Sequence, residues 1–184
     1  MRKVVVYELL SLDGIAEHPM DFITDFDELM EENLGRVIAA QDTVLLGRRT
    51  YDDWARFWPN SEIEPFATFI NGVQKFVVTS TPLEPQWGSS SVVGTDLEQF
   101  VTDLKSQPGG DIGVHGSISV AQSLLNAGLV DELRLVIAPA IHTQGRRLFD
   151  SGSAKRRLST TRSITSPTGY LLVDFQMISA ESAR

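Results

Sequence analysis

Residues 111–141 read DIGVHGSISVAQSLLNAGLVDELRLVIAPAI, and this stretch carries the pattern that decides the fold. The run at 111–114 has the composition of a strand, and apolar residues then recur at helical spacing from about 119 to 127. Gly128 lies where a glycine often ends a helix. The run at 133–138 is apolar on both faces and predicts a central strand. Strand, helix and strand in succession indicate an α/β fold with a parallel sheet.

The rest of the chain repeats this alternation. Further strands are predicted at 4–10, 43–46, 75–79, 91–93 and 170–177, the last of them antiparallel, with a short helical turn at 66–70. Three other helices are predicted from their cap residues. The first has Asp25 with Glu28, the second has Thr50, and the third has Thr95 with Glu98. We therefore predict one α/β domain over residues 1–178 with a mostly parallel sheet, followed by a polar tail at 179–184.

The composition excludes several classes of protein. The 184 residues include no cysteine, which excludes disulfides and thiolate metal sites, and three scattered histidines do not suggest zinc, so no metal is expected. A net charge of −8 opposes binding to nucleic acid or to an anionic membrane. The first apolar run is too short for a signal peptide, and no segment is long enough to cross a bilayer. These features predict a cytoplasmic protein whose anionic ligands need a local cationic cluster.

Three predicted strands end in residues that suit an anion. They are followed by Gly47-Arg48-Arg49-Thr50, by Thr79-Ser80-Thr81, and by the run from Gly113 to Ser119. Ligands of open α/β sheets bind beyond the carboxyl ends of the strands, where helix N-termini attract phosphate. Each motif alone has an ordinary explanation, such as a solvated arginine pair or a tight turn. Their occurrence at successive strand ends favours a phosphate-binding site.

Taken together, five stretches resemble the dihydrofolate reductase-like fold. The closest resemblance is to the reductase domain of the riboflavin-pathway bifunctional deaminase-reductase, including its stand-alone relatives. The stretches are SLDGIAE (11–17), LLGRRTYDDW (45–54), KFVVTST (75–81), residues 111–141, and GRRLFD (145–150). The resemblance implies a three-layer fold and an NADPH-dependent reductase. The zinc signature of the deaminase half requires cysteine, so the resemblance covers the reductase half alone.

The same resemblance implies roles for individual residues. The turn after the second strand and the hydroxyls after the third would hold the 2′-phosphate end of NADPH, and the turn at 113–118 would hold the diphosphate. The residues expected to bind the cofactor are Gly47, Arg48, Arg49, Thr50, Thr79, Ser80, Thr81, Gly113, His115, Gly116, Ser117 and Ile118. Phe22 and Trp54 are candidates for walls of the substrate site, although each also suits the core.

A reductase must also supply a proton or polar stabilisation to its substrate. The candidates are Asp13, in the turn after the first strand, and Asp27 and Glu31, which share a helix face. Acidic residues in the first turns of a helix also stabilise its dipole, so this reading stays open beside the catalytic one. Arg146 with Arg147, or the basic run 155–157, would suit a second anionic group, although both also suit solvated surface.

The expected activity is reduction of a C=N or C=O bond in a pyrimidine- or pteridine-like substrate. The leading candidate is a 5-amino-6-(5-phosphoribosylamino)uracil reductase of the riboflavin-biosynthesis type. The alternatives are a dihydrofolate or pteridine reductase and a nucleotide-binding module without turnover. Relatives of such domains are commonly dimers, so a homodimer is expected, with the apolar region 133–141 extending the sheet toward the partner.

Overall fold

One sheet of eight strands runs through the part of the chain that the computed structural model describes, residues 1–94, 96–153 and 155–178. In chain order the strands are β1 (Val4–Leu10), β2 (Gln41–Gly47), β3 (Gln74–Val78), β4 (Ser90–Val93), β5 (Asp111–His115), β6 (Glu132–Ile137), β7 (Leu158–Thr165) and β8 (Leu171–Met177). Their order across the sheet is β4-β3-β2-β5-β1-β6-β8-β7. The first six strands are parallel, and β8 is antiparallel to both β6 and β7.

Helices cover both faces of this sheet. The α-helices are α1 (Glu28–Ile38), α2 (Arg48–Phe57), α3 (Phe66–Gly72), α4 (Leu97–Ser106) and α5 (Ile118–Ala127). Apolar residues of α1, α2 and α3 pack in one buried cluster, and those of α4 and α5 pack in a second. The structure therefore has three layers, and the predicted fold class is confirmed. None of the described helices is long and apolar enough to cross a membrane.

Side chains of one strand enter both clusters in alternation, because successive residues of a strand point to opposite faces. On β2, Leu45 belongs to the cluster around α5, whereas its neighbours Val44 and Leu46 belong to the cluster around α1. All three are completely buried. Burial of each such side chain stabilises the fold by about 1.5–3 kcal/mol relative to exposure. A strand buried on both faces also explains why this part of the sequence is almost wholly apolar.

One prediction about the sheet is wrong, and one strand was not predicted. The apolar region 133–141 does not offer a free edge, because β6 pairs with β1 on one side and with β8 on the other. The free edges of the described sheet are β4 and β7. The sequence around β7 was not predicted as a strand, since an exposed edge strand such as LSTTRSIT lacks a continuous apolar face.

The helix caps also differ from prediction. Asp27, not Asp25, caps α1, because its Oδ1 accepts a hydrogen bond from the Met30 amide at 3.0 Å. Helix α2 begins at Arg48 after Gly47, so Thr50 lies inside its first turn and does not cap it. Asp96 caps α4. Thr95 and the predicted tail 179–184 lie outside the described residues.

Candidate active site

A cleft of about 1120 Å³ opens at the carboxyl ends of the central parallel strands. Glu8 of β1, Gly47 of β2 and His115 of β5 contribute to its lining, together with residues of α2 and α5. Parallel strands of an open sheet end at one edge, so the loops and helices that follow them surround a common space. The cleft is large enough for a cofactor and a small substrate, since sites for drug-sized ligands measure roughly 300–1000 Å³.

The N-termini of α2 and α5 lie side by side at this cleft. The Gly47 amide donates a hydrogen bond to Ser117 Oγ at 3.0 Å, and Thr50 Oγ1 donates to the Gly116 carbonyl at 3.2 Å. Neither helix has a side-chain cap on its first amides. Free amides at a helix N-terminus bind anions, and the helix dipole favours negative charge there. Two such ends in contact suit a ligand with more than one phosphate.

Arg48 is held beside the turn that follows β3. Its Nε donates to both Asp52 carboxylate oxygens, at 2.7 and 2.9 Å, and its Nη1 donates to Thr81 Oγ1 and to the Pro82 carbonyl. Thr79 Oγ1 lies 3.1 Å from Thr81 Oγ1. The structure thus brings the predicted arginine and two of the predicted hydroxyls together. Within the described residues Arg48 Nη2 makes no hydrogen bond, so it is the guanidinium nitrogen that can donate to a phosphate.

Arg49 and Arg146 add positive charge at the mouth of the cleft. The side chain of Arg49 is 77% exposed and its Nη1 lies 3.3 Å from Glu17 Oε1. Arg146 Nη2 donates to Ser119 Oγ, in the first turn of α5, at 3.0 Å. Both arginines line the cleft. Of the basic residues considered for a second anionic group, at 146–147 and 155–157, Arg146 is therefore the one that lines the site. Together with Arg48 they form a cationic border around the helix N-termini.

Two glycines of the motif at 113–118 have different roles. Gly116 has a φ of +60°, and a Cβ built on it would lie 3.1 Å from Cζ2 of Trp54. Its lack of a side chain therefore leaves the turn free to form in contact with the indole. A Cβ on Gly113 would lie 2.1 Å from Gln41 Oε1, so Gly113 makes room for that side chain in the sheet. Gly113 does not line the cleft.

Most of the residues expected to bind a cofactor meet at this cleft. Those that line it are Gly47, Arg48, Arg49, Thr50, His115, Gly116, Ser117 and Ile118, and Trp54 of the expected substrate wall joins them. Thr79, Ser80 and Thr81 form the adjacent turn and are not part of the lining. Phe22 is buried in the core near His142, with ring centroids 5.4 Å apart, so it forms no wall of the cleft.

The predicted proton donors do not line the cleft. Glu31 is exposed on α1. Hydrogen bonds from the His142 amide and the Ser11 hydroxyl lower the pKa of Asp13 to about 2, and Asp13 also accepts from the Thr143 amide. It therefore holds the 142–143 loop as a carboxylate.

Asp27 likewise has a structural position. Desolvation raises its pKa, but hydrogen bonds from Thr168 and Ser166 and from the Met30 amide outweigh this effect and lower the pKa to about 2. Thr168 Oγ1 donates to Asp27 Oδ2 at 2.6 Å, which ties the start of α1 to the turn before β8. Asp27 is therefore a charged helix cap at neutral pH.

The titratable group that sequence reasoning missed is Glu8. It lies on β1, is only 3% exposed, and lines the cleft. Burial raises the pKa of Glu8 to about 8, although a hydrogen bond from the Gly116 amide acts in the opposite direction. Its Oε1 is buried without a hydrogen-bond partner. A glutamate inside an otherwise apolar strand was the available signal, since an unpaired buried carboxylate is costly.

The elevated pKa of Glu8 predicts a specific dependence of stability on pH. The unfolded carboxyl ionises near 4.5 and the folded one near 8, so between these values the unfolded chain binds fewer protons and stability falls as pH rises. Burial lowers the pKa of His115 to about 3, which makes stability fall as pH drops from 6.5 toward 3. The Glu8 and His115 effects oppose each other between pH 4.5 and 6.5. The Glu8 effect continues up to pH 8, where burial of Lys75, which lowers its pKa to about 8, begins to oppose it.

Glu8→Gln is expected to abolish the loss of stability on the alkaline side. At roughly 1.4 kcal/mol per pH unit, the free energy of unfolding of the unsubstituted protein should drop by about 2 kcal/mol between pH 6.5 and 8. The variant should show no such drop in urea unfolding, whereas Glu31→Gln on the exposed face of α1 should retain it. An equal decline in all three proteins would show that Glu8 is already ionised at neutral pH.

Comparison with known proteins identifies the family. Residues 2–172 match the RibD C-terminal domain. The chain belongs to this family. It is 27% identical over 180 residues to the uncharacterized protein YyaP of Bacillus subtilis (strain 168), covering 94% of this chain and 93% of YyaP.

Solved structures show the same fold. A protein from Shewanella sp. PV-4, provisionally assigned to riboflavin biosynthesis, superposes on this RibD C-terminal domain with a TM-score of 0.79 at 17% identity, covering 96% of this chain and 99% of that one. Dihydrofolate reductase of Enterococcus faecalis, solved with NADP(H), superposes with a TM-score of 0.63 at 12% identity, covering 96% and 97%. The predicted dihydrofolate reductase-like architecture and the family are therefore confirmed.

Proposed function

We propose that this RibD C-terminal domain is an NADPH-dependent reductase of a small ring compound with a C=N or C=O bond. The observation that carries the proposal is the single cleft at which the N-termini of α2 and α5 meet three arginines. Membership of the family and the fold shared with a dihydrofolate reductase that binds NADP(H) support it. Three arginines grouped at the helix N-termini of an otherwise acidic protein are suited to a polyanionic cofactor.

The residues of the cleft fit a dinucleotide in three respects. Arg48, with the hydroxyls of the turn after β3, would hold the 2′-phosphate of the adenosine end. The amides at the start of α5, left accessible by Gly116, would hold the diphosphate. Glu8, kept neutral by burial near neutral pH, adds no negative charge beneath the same helix N-terminus. When bound, the reduced nicotinamide supplies a hydride.

The substrate expected from the family resemblance is a phosphoribosylaminopyrimidine, with a folate-like pteridine as the second candidate. The chain would orient such a ring against the aromatic side of the cleft, which includes Trp54. It would also exclude water from the reacting atoms, as closed reductase sites do. The alternative, a module that binds the nucleotide without turnover, shares every contact described above and differs only in activity.

Titration with NADPH and with NADH tests the proposal. Because Arg48 and its neighbouring hydroxyls lie where a 2′-phosphate would bind, NADPH is expected to bind at least about tenfold more tightly than NADH. Equal binding of the two, or binding of neither, would remove the assignment. Loss of the NADPH absorbance band with a panel of pyrimidines, pteridines and quinones then separates the reductase from the module, which would bind NADPH without oxidising it.

A further inference from the structure

One side of the cleft is built from aromatic rings. The ring centroids of Trp54 and Phe66 lie 5.5 Å apart, those of Trp58 and Phe66 4.9 Å apart, and those of Phe57 and Trp58 5.0 Å apart, all in edge-to-face geometry. All four residues line the cleft. Rings fixed by such mutual contacts form a rigid apolar wall. This wall differs in chemistry from the cationic border at the helix N-termini.

Several large apolar side chains that line the cleft are also exposed. Met20, Phe26, Phe57 and Ile63 are between 45% and 67% exposed, and each of them lines the cleft. Isolated exposed apolar residues are ordinary on a protein surface, but several of them around one cavity indicate a site for an apolar ligand.

The charged side chains that line the cleft are three arginines and a larger number of carboxylates. Asp21 and Asp25 adjoin Met20 and Phe26 in the chain, and both line the cleft. In the same way, two further lining carboxylates follow or precede apolar lining residues, namely Asp53 beside Trp54 and Glu64 beside Ile63. The arginines of the lining are Arg48, Arg49 and Arg146, and their contacts place them at the starts of α2 and α5 and beside Glu17. If the three arginines bind the phosphates of the cofactor, a further phosphate group in the cleft would face carboxylates without a matching arginine.

Two donors of lining residues are buried without a partner. Tyr7 Oη and Trp58 Nε1 make no hydrogen bond within the described residues. A buried donor left unpaired costs about 1–3 kcal/mol, so a ligand acceptor gains by pairing with it. The side chain must shift to allow this pairing, because both donor atoms are inaccessible in this structure. A carbonyl oxygen or a ring nitrogen is an acceptor of this kind.

We propose that the substrate of this reductase is a flat, apolar ring system that bears a carbonyl or ring-nitrogen acceptor and no phosphate or carboxylate group. The proposal rests on the proposed function, in that the cationic half of the cleft is assigned to the cofactor. It selects among the substrates left open by the family resemblance, because it excludes the phosphoribosylated pyrimidine. The aromatic wall supplies area for stacking against the ring, and the carboxylates that line the cleft repel anionic substrates.

Calorimetric titration of the protein saturated with NADP⁺ tests this inference. The probes are menadione, an uncharged two-ring quinone, and the matched pair riboflavin and riboflavin 5′-phosphate, which share one ring system and differ only in the phosphate. Menadione and riboflavin are expected to bind, and riboflavin 5′-phosphate at least about tenfold more weakly than riboflavin. The inference is overturned if riboflavin 5′-phosphate binds as tightly as riboflavin or more tightly. It is also overturned if neither menadione nor riboflavin binds. Saturation with NADP⁺ is measured first, so failure of the proposed function is seen separately.

A pair of phenylalanine substitutions tests whether the rings bind at the aromatic wall. Phe57→Ser is expected to weaken menadione and riboflavin binding by roughly three- to tenfold, through loss of ring contacts, and to leave NADP⁺ binding unchanged. Phe149→Ser is the matched control, because Phe149 is also an exposed phenylalanine, at 42%, and does not line the cleft. Unchanged ring binding in the Phe57 variant, or equal losses in the two variants, contradicts the assignment.

Discussion

Arg48→Ala is expected to weaken NADPH binding by roughly 30- to 100-fold and to leave NADH binding nearly unchanged. A charge-assisted pair between a guanidinium and a phosphate contributes about 1.5–3 kcal/mol, and only NADPH carries the 2′-phosphate. The side chain is already held by Asp52, Thr81 and the Pro82 carbonyl, so little conformational entropy is lost when the phosphate binds. The measurement is calorimetric titration of each variant with both dinucleotides.

Two further substitutions, one of Arg48 and one elsewhere on α2, serve as controls for that test. Arg56→Ala removes an arginine from the last turn of the same helix, outside the lining of the cleft, and should bind NADPH as the unsubstituted protein does. Arg48→Lys keeps the charge but not the fork of donors, so it should lose only part of the affinity. A parallel loss of NADPH and NADH binding in Arg48→Ala would mean that the residue contacts another part of the cofactor, or maintains the fold of the turn after β3.

Gly116→Val is expected to reduce NADPH binding more than about 100-fold. The backbone at this position is left-handed, with a φ of +60°, and a Cβ would meet the Trp54 ring at 3.1 Å. A β-branched residue is strained in that conformation by roughly 1–3 kcal/mol, and relief of the strain would move the amides at the start of α5. Both effects fall on the turn proposed to bind the diphosphate, because Thr50 donates its hydrogen bond to the Gly116 carbonyl.

The glycine test includes a milder variant and a control. Gly116→Ala introduces a smaller steric conflict and should fold well enough for titration. Its affinity for NADPH should lie between that of the unsubstituted protein and that of the valine variant. Gly94→Val places the same side chain where a Cβ meets nothing within 4 Å, and its binding should not change. Normal NADPH affinity in a folded Gly116→Ala protein would exclude this turn from the site.

The central sheet can be predicted well from the sequence, because buried parallel strands consist of apolar runs that are bounded by turn residues. The unit from β5 through α5 to β6 shows why: its strands are apolar, and Gly128 ends the helix with a left-handed φ of +73°. Strand β7 could not be predicted in the same way, since one edge of an outer strand is free and most of its side chains are exposed. The cap of α1 was predicted at Asp25 and lies at Asp27, because an aspartate at either position can accept a hydrogen bond from an amide of the first turn.

The part of the cleft proposed to bind phosphate could be predicted from the sequence for a related reason. Arginines and glycines at strand ends are unusual in local terms, and parallel topology brings those ends to one edge. The rest of the cleft, which includes Glu8 and the aromatic wall, could not be predicted from the sequence. These residues become part of the cleft only through tertiary packing. Glu8 looks like an interruption of an apolar strand until its burial and its bond from the Gly116 amide are known. Phe22 and Trp54 were indistinguishable as aromatic residues, yet one lies in the core and the other at the cleft.

A crystal structure of the protein with NADP⁺ is the most direct test of the central claim, that two adjacent helix N-termini and Arg48 form one dinucleotide cradle. The predicted result is a 2′-phosphate within hydrogen-bond distance of Arg48 and Thr81, a diphosphate at the free amides in the first turn of α5, and the nicotinamide directed toward Trp54. The account is contradicted if the dinucleotide binds elsewhere on the chain, or lies in this cleft with both its phosphate groups away from Arg48 and from the start of α5.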